Sequence, residues 1–219
     1  MARIARVVVP SYPHHIVQRG NRRQRTFFCP DDYQAYIDLV AATREAAGVS
    51  IWAYCPMPNH VHLVAVPQTT HGLADLFKDA HRRYTRLVNF REGWRGHLWQ
   101  ERFHSCVMDE RHLMASVRYI ELNPVRARLC SSPTDWTWSS IHAHIAGQDD
   151  ALTTTRPMLQ RISNWERYLR GADSDDTLNL LRQHSRTGRP LGDDGFISEL
   201  ERITGRSLQR KKPGRKGNT

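Results

Sequence analysis

Short stretches of alternating apolar and polar residues are interleaved along this chain with longer stretches whose apolar positions recur every three or four residues. The first pattern has the period of a strand, the second that of a helix. Residues 12–19, after a proline turn, read as a strand with His15 and Val17 on one face and Ile16 and Gln18 on the other. Pro30-Asp31-Asp32 opens a helix, with acids where its N-terminus favours them. Tyr33, Tyr36, Ile37, Val40 and Ala41 mark its buried side until Ala47-Gly48. Residues 49–55 and 60–66 read as two strands joined by a turn at Pro56 and Pro58. Residues 72–90 form a long helix, with Leu73, Leu76, Phe77, Tyr84, Leu87 and Val88 inward and Lys78, Arg82, Arg83 and Arg86 outward. After a break at 93–96, residues 97–108 read as extended. Residues 110–123 follow as a helix, 124–129 as a short one and 138–147 as another.

The order β-α-β-β-α-β-α, with two central strands joined by a short turn, predicts an α+β fold. Its core is a small ferredoxin-like antiparallel sheet with helices packed on one face. From residue 148 the character changes. Residues 148–150 read as a linker, 156–184 as helical, 188–192 as a turn and 196–204 as a last helix. The expected organisation is a domain over 1–147, a helical extension over 148–204 and a basic tail over 205–219.

Two strand residues carry the first chemical signal. His60 and His62 lie on one face of the 60–66 strand, with Val61 on the other. Two neighbouring imidazoles on one face make a bidentate metal site, or they are satisfied histidines at a sheet surface. With 12 histidines in 219 residues, about 0.65 His-x-His triplets arise from composition alone. A second triplet, His142-Ala143-His144, falls in a predicted helix, where residues two apart do not share a face. That pair is not expected to chelate.

The predicted helix over 110–123 carries the second signal. Leu113, Val117 and Ile120 form its apolar stripe, and His112, Ser116, Tyr119 and Asn123 form a polar row along the edge of the buried face. Tyr119 can reach a site on the sheet, or it is a boundary tyrosine with a wet hydroxyl. Asn123 precedes Pro124 and can equally cap the next helix.

Composition narrows the function class. Apolar residues make up 39% and charged residues 25% of the chain, as in ordinary globular proteins, and no run approaches the ~18 apolar residues of a membrane span. A cytoplasmic protein is expected. Cys29, Cys55, Cys106 and Cys130 are far apart, so reduced, mostly buried thiols are expected rather than a zinc ribbon or a disulfide framework. The net charge is +10, but seven Lys and Arg and no acid lie in the last 18 residues, leaving only +3 over the rest. That tail, including Arg210, Lys211 and Lys212, suits a polyanion. So does the turn containing Arg19, Asn21, Arg22, Arg23 and Arg25, since guanidinium groups around a tight turn suit phosphate.

Several stretches, taken together, resemble a known family. They are His15-Ile16-Val17-Gln18-Arg19-Gly20-Asn21, Met57-Pro58-Asn59-His60-Val61-His62, Leu98-Trp99-Gln100-Glu101-Arg102-Phe103, Tyr119-Ile120-Glu121-Leu122-Asn123-Pro124-Val125-Arg126-Ala127 and Trp138-Ser139-Ser140. In this order, over residues 12–147, the chain resembles the single-tyrosine HUH transposases, and within them the REP-associated tyrosine transposases of bacteria. Gly188-Arg189-Pro190-Leu191-Gly192 and the basic end are similar to a C-terminal extension found in part of that family.

The resemblance implies an HUH nuclease fold and a metal-dependent single-stranded DNA endonuclease and strand transferase. Tyr119 would be the nucleophile that forms a 5′-phosphotyrosine, and His60 and His62 the metal ligands, with Asn123 completing the site one turn after the tyrosine. It implies Mg2+ or Mn2+, and as substrate single-stranded DNA with hairpins such as repetitive extragenic palindromes (REP). Arg19, Asn21, Arg22, Arg23, Arg82, Arg83 and the tail are the expected DNA contacts. A nucleoid-associated bacterial protein, monomer or homodimer, is expected, with no membrane and no nucleotide cofactor, in keeping with the lack of a P-loop pattern. Two alternatives stay open. One is a domesticated sequence-specific DNA-binding protein of the same fold with little cleavage. The other is a His-x-His hydrolase using water, which would survive Tyr119→Phe.

Overall fold

A computed structural model of the chain describes residues 5–209. Strand β1 (His14–Arg19) is followed by helix α1 (Pro30–Arg44), strands β2 (Val49–Met57) and β3 (His60–Pro67), helix α2 (Gly72–Glu92), strand β4 (His104–Val107) and helix α3 (Glu110–Glu121). The four strands form one antiparallel sheet in the order β2-β3-β1-β4, the ferredoxin-like arrangement expected from the pattern. β2 and β3 form a tight hairpin that closes where Met57 pairs with His60. β1 inserts between β3 and β4, with Val17 opposite His62 and Arg19 opposite His60.

Alternation along β3 divides the molecule. Val61, Leu63 and Ala65 face α1 and α2, in a core with Ile16, Phe27, Tyr36, Phe77 and Tyr84. α1 and α2 thus cover one face, as expected. The opposite face is also apolar, through Ala53, Cys55, Met57 and Val64, and it receives Leu113, Val117 and Ile120 of α3. A sheet that is apolar on both faces needs a layer on each. α3 starts where the Asp109 side chain accepts from the His112 N–H at 2.8 Å, an N-cap.

Most of the rest of the chain builds onto that second face, while Trp138 and Leu152 pack with the first core. Helices α4 (Asn123–Arg126), α5 (Ile141–Ala146), α6 (Arg156–Leu159), α7 (Trp165–Arg170), α8 (Asp175–Thr187) and α9 (Asp194–Thr204) follow. Met158, Ile162, Trp165, Leu181 and Leu191 join the core beneath α3, and Leu200 packs with Val7, Val9 and Val107. Isolated parallel bridges tie Thr153 to Ile51 and Leu191 to Met108.

Three local expectations change. The continuous helix predicted over 156–184 is three helices, because Asn164 and Ser174 each accept from an N–H three residues on and start new ones. The extended run over 97–108 narrows to β4, since Gly96 (φ 95°) and Glu101 (φ 58°) adopt left-handed backbone. Leu87 is exposed, not inward. Among the described residues no helix is long and apolar enough to cross a membrane, and the four cysteines are free.

Candidate active site

The site is assembled by three layers of the fold. β3 presents His60 and His62 on one face, their rings 4.9 Å apart and nearly perpendicular at 82°. β1, paired beside it, presents His15 and Arg19 on the same face. His15 Nε2 lies 2.9 Å from His62 Nδ1, with the two rings stacked at 5.1 Å. α3 brings Tyr119 beside His62, the two rings 5.6 Å apart at 83°, with His15 at 6.4 Å. α8 lies alongside, and Arg182, Ser185 and Arg186 share one of its faces, as residues three and four apart do. A cavity of about 470 Å3 opens among these groups, bounded also by Arg23, Gln100 and His104.

The turn after β1 shapes one wall. Gly20 sits so close to the chain that a Cβ there would lie 2.4 Å from the Gln24 carbonyl oxygen and 2.7 Å from Thr26, so only glycine fits. Arg22 and Arg23 then take left-handed backbone, φ 53° and 61°. That costs non-glycine residues energy and clusters at functional sites. Arg23 lines the cavity, and its carbonyl accepts from Asn59 Nδ2 at 3.1 Å.

The cavity is cationic. Arg19, Arg23, Arg182 and Arg186 line it, and no Asp or Glu does so among the described residues. Burial lowers the Arg19 pKa, and the neighbouring positive charges of Arg23 and Arg186 add to the effect. The guanidinium carbons of Arg126 and Arg182 stand 5.1 and 5.9 Å from the Tyr119 ring centre, within reach of a cation–π contact. Such a lining attracts a phosphate backbone.

The two strand histidines have the chemistry of metal ligands. Burial, with Arg19 adding to it, pushes the His60 pKa down to about 3. Burial together with His60, His15 and Arg19 holds His62 well below its ordinary value. Both rings are therefore neutral near pH 7, the form that binds a metal. His60 Nδ1 lies 2.6 Å from Asn59 Oδ1. The Asn59 amide donates to the Arg23 carbonyl, which leaves that oxygen as the acceptor. The His60 proton therefore sits on Nδ1 and the lone pair on Nε2. Outer partners of this kind orient metal-ligating histidines. Among the described residues no group of three or more His, Cys, Asp or Glu is arranged around an ion site. The donor set fits a divalent ion that takes its remaining ligands from oxygen.

The other sequence-selected residues fall in different places. Asn123 begins α4, is buried and does not line the cavity. It makes no capping bond, and among the described residues its Nδ2 has no hydrogen-bond partner. Asn21 and Arg22 continue the turn that carries Arg23. Arg82 and Arg83 are on α2, across the sheet from the histidines, and both pair with Asp79, at 2.7 and 3.6 Å. Arg82 instead borders a separate, largely apolar cavity of about 540 Å3 beside Phe77 and Trp99. Arg210, Lys211 and Lys212 lie outside the described residues. The helical triplet separates as expected, with His142 exposed and His144 buried against Glu121.

Sequence reasoning placed His15 on the same face as Val17 without assigning it a role, and it passed over Asn59, Arg182, Ser185 and Arg186. Once β1 is paired with β3 the alternation puts His15 diagonally beside His62, so that signal was present. Nothing in the sequence marks the α8 residues, which come some 120 positions after the histidines.

Comparison with known proteins supplies a family. The profile of the family described as "Transposase IS200 like" matches residues 8–123, a little over half of the chain. A REP-associated tyrosine transposase of Escherichia coli (strain K12) is 21% identical over 126 residues, covering 57% of this chain and 74% of that protein. The fold is similar to a solved REP-associated tyrosine transposase bound to a REP hairpin. That match has a TM-score of 0.58 and 19% identity over 70% of this chain and 92% of the other.

Proposed function

The chain belongs to the IS200-like transposase family, enzymes that cut and rejoin DNA, and from that premise we propose that it cleaves and joins single-stranded, hairpin-bearing DNA of the REP type through Tyr119. The observation that carries this reading is the position of Tyr119 beside the neutral imidazole of His62, in a cavity that His60 and several arginines also line. In this structure the tyrosine and both histidines come from one chain.

In this reading the strand backbone enters the cationic cavity, held by Arg19, Arg23, Arg182 and Arg186. Arg126 and Arg182 hold the Tyr119 ring in place. The phenol oxygen attacks phosphorus, the bond to the 3′-oxygen breaks, and a 5′-phosphotyrosine and a free 3′-hydroxyl result. The link conserves the phosphodiester energy, so attack by another 3′-hydroxyl rejoins strands with no nucleotide cofactor. His60 and His62 would hold Mg2+ or Mn2+, which would polarise a phosphate oxygen and offset charge that develops in the transition state. Asn123 remains the third ligand that the resemblance implies, through its Oδ1, although in this structure it does not line the cavity. Asn21 and Arg22 extend the phosphate contact along the turn, while Arg82, Arg83 and the basic tail reach more distant parts of the DNA. Residues 1–147 form the transposase domain and 148–204 an extension that contributes α8 to the catalytic cavity.

The test mixes the protein with labelled hairpin DNA from its own genome, with and without Mg2+ or Mn2+, and resolves products on a denaturing protein gel. A covalent adduct that requires metal and vanishes in Tyr119→Phe is expected. Cleavage that persists in Tyr119→Phe without an adduct would replace the tyrosine by water and end this proposal. Tight binding with no cleavage by the unaltered protein would favour a domesticated DNA-binding protein.

A further inference from the structure

We propose that Ser185, on α8, acts through His15 as a positioning residue that fixes the ring tautomer of His62 and so keeps its Nε2 available to a metal ion. This inference rests on the metal reading above.

Three contacts form a chain from the backbone of α8 to the sheet. Ser185 Oγ lies 2.6 Å from the Leu181 carbonyl oxygen. It also lies 3.0 Å from His15 Nδ1, and His15 Nε2 lies 2.9 Å from His62 Nδ1. The direction of the chain follows from its first member. A carbonyl only accepts, so the single Ser185 hydroxyl proton points at Leu181. With that proton committed, Ser185 Oγ can only accept from His15, and His15 carries its proton on Nδ1. His15 Nε2 is then a lone pair, which accepts from His62, and His62 carries its proton on Nδ1. The lone pair of His62 is left on Nε2.

His60 reaches the same state independently, through Asn59. The two strand histidines therefore present the same nitrogen, one set by the β2–β3 turn and the other by a helix 170 residues from His15 in sequence. His15 is almost fully buried, while Ser185 lies at the wall of the cavity. Without the Ser185 oxygen, His15 loses the partner that holds its proton on Nδ1. The opposite tautomer of His15 donates to His62 Nδ1, moves the His62 proton to Nε2 and blocks the ligand position. Outer partners of metal-ligating histidines are typically worth about 10–100-fold in metal affinity.

The experiment uses the full chain and two readouts. Nitrogen-15 NMR of the histidine rings reports the tautomers of metal-free protein, and Mn2+ titration followed by electron paramagnetic resonance reports affinity. In the unaltered protein, His15 and His62 are expected as single Nδ1–H forms. In Ser185→Ala, the His62 signal is expected to shift toward the Nε2–H form and Mn2+ binding to weaken about tenfold. Ser185→Thr, which keeps the hydroxyl, is expected to retain both. In a His15→Gln background, Ser185→Ala is expected to have no further effect, because the glutamine carbonyl accepts from His62 without Ser185. Ser185→Ala with an unchanged His62 tautomer overturns the relay. If the unaltered protein binds no Mn2+, the metal reading fails instead, and the tautomers alone still decide the relay.

Discussion

Removing Glu121 should loosen the helix that carries Tyr119. Glu121 is fully buried at the end of α3, two residues beyond Tyr119. Its Oε1 accepts from Ser140 Oγ at 2.7 Å and faces His144 Nδ1 at 2.6 Å, and its Oε2 accepts from Trp165 Nε1 at 2.7 Å. Ser140 also receives the Tyr54 N–H at 3.1 Å and donates its own N–H to the Tyr54 carbonyl, so the cluster ties α3 to β2 as well as to α5 and α7. Glu121→Ala strands three buried groups at once. Each unsatisfied group costs about 1–3 kcal/mol, and partial repacking or water entry keeps the total near ~3–5 kcal/mol, the upper range for single substitutions. For a chain of this size 1 kcal/mol moves the melting temperature by about 2–4 °C, so a drop of about 6–20 °C is expected. Glu121→Gln keeps the shape and one acceptor oxygen and should fall between the two. Calorimetry or circular dichroism reads the effect. If Glu121→Ala melts within about 2 °C of the unaltered protein, the cluster does not hold α3 and the reasoning is wrong.

Three further outcomes follow from other parts of the structure. His14 is fully buried, with its pKa pushed by burial down to about 4. The unfolded chain takes up that proton below about pH 6.5 and the folded chain does not, so His14 alone should remove about 1.4 kcal/mol of stability for each pH unit from there to about pH 4, and His15, His60, His62 and His81, lowered likewise by burial, steepen the fall. A flat melting profile over that window would contradict this. Burial raises the Asp32 carboxyl, but bonds from Arg91 and from the Phe28 and Cys29 N–H groups outweigh it and hold the pKa below its ordinary value. Asp32→Asn should therefore cost about 1–2 kcal/mol at neutral pH through the weakened start of α1. The gap should close as pH falls through the lowered folded value, and a gap that persists there would show that charge is not the cause. Arg182→Ala and Arg186→Ala, at exposed cavity-lining positions, should each weaken single-stranded DNA binding. Each should flatten the dependence of log affinity on log salt by about 0.7, and an unchanged slope would remove that side chain from the phosphate contact.

The part of the site that was legible in sequence is the part set by short-range periodicity. Alternation along β3 put His60 and His62 on one face, the helical period put Tyr119 on the edge of the buried side of α3, and the same period separated His142 from His144. Each conclusion needed only the geometry of one element. The contribution of His15 needed one more step, the pairing of β1 with β3, which follows from the fold class but is not local. The α8 residues were beyond reach for a different reason. Arg182, Ser185 and Arg186 meet the histidines because residues 158–191 pack their apolar side chains under α3, and that packing is fixed by the shape of the second core rather than by any pattern in α8. Arg82 and Arg83 show the converse. Their spacing on an exposed helix face resembles a phosphate-binding row, yet they pair with Asp79, and α2 covers the face of the sheet that Val61 and Leu63 choose. A row of cations on an exposed helix face does not by itself say where it lies relative to the histidines. Which side of the sheet it serves is decided by the alternation of β3, so the pattern that places His60 and His62 also determines which arginines lie on their side.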